Sequence, residues 1–142
     1  MELALPVIIF AIQTLLLVSV VLFYRTFKVF IGRTPANSWP RLPSAAAEPA
    51  LVVRCHDAHK NCIEMLPVFL GVLWAMTLLD AQYAQDQMTL IFGFVGLRMA
   101  QSAIHVVGTA PILVMIRGIL FSGQLAILLW LSVNILSGVL AA

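Results

Sequence analysis

Arg54, Asp57, Asn61 and Glu64 follow one another at intervals of three or four residues, with Lys60 among them. Residues so spaced share one face of a helix, and Lys60, four before Glu64, can pair with it. Arg98, Gln101 and His105 repeat the interval, as do Arg117, Phe121 and Gln124. All lie within apolar stretches. Each ionisable group costs about 2.5–3.5 kcal/mol at a bilayer centre, so such groups pair, line a water-filled cavity or mark a ligand path. A buried Arg98–Glu64 pair is the expected link between the second and third spans. Arg54, His56 and Asp57 also suit headgroup contacts, and Arg117 could reach the interface along its stem. Three polar stripes at similar depth favour one water-accessible cleft. His56 and His59 lack further nearby ligands, so no metal site is expected. There is no phosphate-binding glycine loop, zinc motif or serine triad.

The elements that position these groups read as membrane helices. Of the 142 residues, 62% are hydrophobic and only 10% charged, against about 25% charged in a soluble domain. So short a soluble chain could not bury that apolar surface, and the mean hydropathy is +1.04. A net charge of +2, without a basic run, argues against nucleic acid. About 20 apolar residues of helix cross a bilayer. Four segments qualify, at about 3–29, 50–79, 87–107 and 112–139, forming a single all-α domain over 1–142. The run 3–23 is too long for a signal-peptide core and has no basic lead, so it reads as a retained span. Pro67 predicts a kink in the second span. Cys55 and Cys62 lie seven apart on one helix, about 10 Å between Cα atoms, too far for an intrachain disulfide.

The connection 30–49 holds Pro35, Pro40, Pro43 and Pro49 with Asn37, Ser38 and Ser44, and is a genuine break. The connection 80–86 is short and acidic, and 108–111 is a tight turn. Short connections favour an up-down-up-down four-helix bundle. Arg25, Lys28, Arg33 and Arg41 flank or occupy the first connection, which places it and the third on the cytoplasmic side. Glu2 is the only early charge at the other end of the first span. The polar stripes then lie in the cytoplasmic half of the second, third and fourth spans.

The stretch 54–69 resembles the second-helix signature of the MAPEG family, membrane-associated proteins in eicosanoid and glutathione metabolism. That signature reads R-x-x-x-A-x-x-N-x-x-E-x-x-P, matched by Arg54, Ala58, Asn61, Glu64 and Pro67. The run 117–124 resembles the start of the family's fourth helix. The resemblance implies a homotrimer that holds glutathione, a co-substrate, between subunits on the cytoplasmic side. It implies that Asn61 and Glu64 contact the tripeptide, the acid facing its γ-glutamyl ammonium, with Arg54 and Lys60 near its carboxylates. Gln101 and His105 fall where family members use His or Tyr to hold glutathione. Arg117 matches the arginine that stabilises the thiolate.

A thiol of pKa near 8.5 is mostly protonated at neutral pH, and an adjacent cation raises the thiolate fraction. The family's activities are conjugation of glutathione to lipophilic electrophiles, reduction of lipid hydroperoxides, and eicosanoid synthesis. Asp57 stands where several animal members carry arginine, His105 and Phe121 where tyrosine is common, and Gly118 where serine is frequent. These departures favour a general transferase or peroxidase taking its lipophilic substrate from the bilayer, in a bacterial inner membrane or endoplasmic reticulum. Two rival readings are a non-catalytic lipid-binding member of the family and a small four-helix multidrug exporter. The exporter needs an acid in its first helix, where this chain has none.

Overall fold

In lipid every backbone N–H and C=O must be satisfied within the segment, so apolar runs of this length become helices. The computed structural model describes residues 3–39, 43, 48–79 and 81–141. Glu2, Pro40, Arg41, Ser44 and Asp80 lie outside the described residues. Five helices follow in order: α1 (Ala4–Phe30), α2 (Ala50–Leu79), α3 (Ala81–Asp86), α4 (Met88–Val107) and α5 (Pro111–Ala141). The described residues contain no strand. α1, α2, α4 and α5 are each long and apolar enough to cross a membrane, as expected of an integral membrane protein. Their ends lie within two residues of the expected spans. The short helix α3 was not anticipated: the second connection is helical in part, with Ala84 buried against the core.

Local chemistry explains the ends. α1 stops at a left-handed glycine, Gly32 (φ 67°). The Gly32 and Arg33 amides donate back to the Val29 and Lys28 carbonyls, the Schellman arrangement that only a residue free of Cβ strain adopts readily. Pro111 opens α5 at the first helical position, where its missing N–H costs nothing. α2 runs unbroken through Pro67. Near the end of α1, the Arg25 guanidinium grips the buried Glu48 carboxylate through two hydrogen bonds of 2.8 and 3.0 Å. It also lies 5.4 Å from the Trp39 ring centroid. The first connection is thereby clamped to the end of α1.

α2 and α4 form the centre. α1 packs against both from one side and α5 against both from the other, and among the described residues α1 and α5 do not meet. The core is aromatic where α1, α2 and α4 converge. Phe69 and Phe94 stack with centroids 4.6 Å apart, and Phe10 tilts against them at 5.7 and 6.0 Å. All three rings are fully buried. Phe69→Ala is expected to cost about 3–5 kcal/mol, read as a lowered thermal midpoint of the protein in detergent.

Candidate functional site

Three helices supply one polar cavity. Asn61 comes from α2, Gln101 and His105 from α4, and Arg117 and Phe121 from α5, around a volume of about 270 Å³. The i, i+4 spacings of Gln101 with His105, and of Arg117 with Phe121, put each pair on one helix face. Val114 and Gly118 complete the wall. Val114 had not been singled out, since an apolar side chain gives no chemical signal of its own, and Gly118 had entered only as a departure from the family's frequent serine. Arg117 reaches the cavity with its Nη1 buried and without a hydrogen-bond partner. A guanidinium stays charged under all physiological conditions, so this end of the cavity is electropositive.

Behind the cavity lies a buried amide–guanidinium cluster. Arg98 is wholly inaccessible, and its Nη1 donates to the Gln101 side-chain oxygen at 2.9 Å. Gln124, also fully buried, donates its amide to the same oxygen at 3.0 Å and to the Leu120 carbonyl at 3.1 Å. The Gln101 amide nitrogen donates to the Arg117 carbonyl at 3.4 Å. On the far side, the Arg98 guanidinium lies 5.8 Å from the Phe10 ring centroid, within cation–π range.

The expected Arg98–Glu64 ion pair does not form, and neither does Lys60–Glu64. For Arg98–Glu64 the reason is helical phase; Lys60 and Glu64, four apart, share the exposed face without closing to ion-pair distance. α2 turns Cys62 and Met65 into the core. Glu64 stands two residues beyond Cys62, about 200° around the helix, and is exposed, as are Lys60 and Asp57. Asp57 is within electrostatic reach of His105, as is Arg117. Arg54 is held at the end of α4, its Nε donating to the Val106 carbonyl at 2.7 Å. Thus Asn61, Gln101, His105, Arg117 and Phe121 line the cavity, Arg98 and Gln124 stand behind it, and Lys60 and Glu64 face outward. His59 is occupied structurally, its Nδ1 donating to the Thr14 carbonyl at 2.9 Å. Cys55 and Cys62 are both free and buried.

The family model for the MAPEG family matches residues 3–137, nearly the whole chain. The chain belongs to the MAPEG family. No curated protein matches it. The family includes glutathione transferases and related enzymes, and this member presents its polar cavity at α2, α4 and α5. A second, larger crevice of about 610 Å³ opens between α1 and α4, lined by Ile9, Ile12, Leu16, Met99 and Ala103. It is nearly all apolar and lies on the opposite side of the α2–α4 pair.

Between the two stands a link that the sequence reading passed over. Gln13 of α1 donates to Ser102 Oγ at 2.7 Å and to the Arg98 carbonyl at 3.3 Å, and Cys62 Sγ lies 3.5 Å from the same hydroxyl. The available signal was that Gln13 is the lone amide in the apolar run of the first span. Gln13→Leu in this MAPEG protein is expected to lower stability by about 1 kcal/mol, the scale of a hydrogen bond between membrane helices, while leaving ligand affinity unchanged. Thermal unfolding in detergent, with and without ligand, checks both parts.

Proposed function

We propose that the protein is a membrane-bound glutathione transferase, with peroxidase activity toward lipid hydroperoxides, that draws its lipophilic substrate from the bilayer. The observation that carries this reading is the unpartnered Arg117 guanidinium in the same cavity as Asn61, Gln101 and His105. A cation beside a bound thiol stabilises the thiolate, and a partly dry site strengthens the effect. The glutathione sulfur then attacks an electrophilic carbon, a C–S bond forms, and a leaving group such as halide departs with its electron pair. With a hydroperoxide, two glutathione molecules become a disulfide while the substrate is reduced to an alcohol and water. Asn61 and Glu64 hold the tripeptide backbone, Glu64 meeting the γ-glutamyl ammonium. Arg54 and Lys60 attract its carboxylates.

Two features support placing the ligand between subunits, and the family likeness makes that assembly a homotrimer. The cavity, at about 270 Å³, falls just short of the ~300–1,000 Å³ typical of small-molecule sites, so a tripeptide needs a further wall. Asp57, Lys60 and Glu64 are exposed on α2, where a lone protomer would present three charges to hydrocarbon at high cost. A neighbouring copy and a zwitterionic ligand answer both needs. Lys28 and Arg33 near the first connection support a cytoplasmic cavity mouth, on the side from which glutathione arrives.

Titrating the purified protein with glutathione, followed by native mass spectrometry and thermal shift, is expected to show saturable binding to a trimer. Turnover of a chromogenic aryl halide is expected, and Arg117→Ala should lower kcat/KM about 100-fold or more without unfolding the protein. Undiminished turnover in that variant would remove Arg117 from the mechanism. Binding without turnover in either protein would point instead to a lipid-presenting role.

A further inference from the structure

Gln101 could present either end of its amide to the cavity, and the two ends recruit opposite ligand chemistry. Its oxygen would attract an ammonium; its nitrogen would attract an anion. Two neighbours remove the choice. Arg98 is a donor only and cannot lose its proton, so the atom 2.9 Å from its Nη1 must be the Gln101 oxygen. Gln124 is pinned by a group of opposite character. The Leu120 carbonyl is an acceptor only, so Gln124 presents its nitrogen there at 3.1 Å, and the same nitrogen donates to the Gln101 oxygen at 3.0 Å. Both lone pairs of that oxygen are taken. The Gln101 nitrogen is left to face α5, where the Arg117 carbonyl accepts from it at a long 3.4 Å, and its second N–H remains for the cavity that Gln101 lines.

We infer that Arg98 is a positioning residue: with Gln124 it locks the Gln101 amide so that its N–H joins the Arg117 guanidinium as a donor toward an anionic group of the ligand. Besides the Phe10 ring face, Arg98 has no competing hydrogen bond from its side chain among the described residues, since its Nε and Nη2 lack partners and it is wholly buried. The orientation therefore rests on hydrogen-bonding capacity, and it requires no carboxylate near Arg98. On the glutathione reading, on which this inference rests, the wall shared by Gln101 and Arg117 receives the thiolate or a carboxylate. The ammonium belongs elsewhere in the site.

Gln101→Glu separates the two roles of the residue. The carboxylate keeps both acceptors that Arg98 and Gln124 need and gives the buried guanidinium a counter-charge, yet it has no N–H to offer. The expected result is a thermal midpoint held or raised, with glutathione affinity lowered at least tenfold. Arg98→Lys, which still donates to the Gln101 oxygen, should retain more affinity than Arg98→Met, measured on the folded fraction of each. S-methylglutathione locates the anion: a loss confined to glutathione places the N–H on sulfur, and an equal loss for both places it on a carboxylate. A folded Gln101→Glu protein that binds glutathione as the wild type does would overturn the inference. So would equal affinities for Arg98→Lys and Arg98→Met. If the wild type itself does not bind glutathione, the functional reading fails first and the donor assignment falls with it.

Discussion

Arg98 carries a full positive charge with no exposed surface. Removing such a charge from water is costly unless surrounding dipoles replace the lost hydration. Here the replacement comes from several directions. α1 contributes the Phe10 ring face and α4 the Gln101 oxygen. α5 acts through Gln124, which shares that oxygen. The Arg98 backbone is itself held, since its carbonyl accepts from Gln13. One guanidinium thus meets an oxygen of its own helix and a ring face of α1, with α5 tied to the same oxygen, while its Nε and Nη2 stay unpartnered. Apolar packing between membrane helices cannot tie the spans in this way alone, because lipid tails compete equally well for apolar faces.

The aromatic cluster and the polar cluster divide the bundle along its length. Phe94 and Arg98 are one turn apart on the same face of α4, so stacked rings give way to hydrogen bonds within a few ångströms of rise. Toward the proline-rich connection the polar cluster lies beside a small apolar one of Val21, Val52 and Cys55. Toward the α3 end the interior is closed by Phe10, Phe69, Phe94 and Ala84. The polar cavity stops short of these rings, with Arg98 and Gln124 behind it.

Much of this arrangement was legible in the sequence because lipid imposes simple rules. Four apolar runs of sufficient length became four long helices, and the intervals within 98–105 and 117–124 did place Gln101, His105, Arg117 and Phe121 on shared faces. Spacing alone does not say which face of a helix turns inward. That is why Glu64 looked like a partner for Arg98: the two are of similar depth and opposite charge. The core contacts of Cys62 and Met65 set the rotation of α2 and carry Glu64 outward. Arg98 instead donates to one neutral amide, Gln101, with its Nε and Nη2 unpartnered, and neither Gln101 nor Gln124 carries a charge to advertise the link. α3 was missed for a related reason, since six residues are too few to reveal a helical period.

The tightness of the turn between α4 and α5 has a consequence for traffic. Only 108–110 separate the two helices. Gln101 lies six residues before the last residue of α4 and Arg117 six after the first of α5, each about 9 Å of rise from the bend. α4, with 20 residues, is also just long enough to match a bilayer core of about 30 Å. The cavity residues on both helices therefore stand close behind one hairpin tip. On the proposed transferase reading, a water-soluble reactant would pass that tip and an oily one would enter between helices, by perpendicular routes.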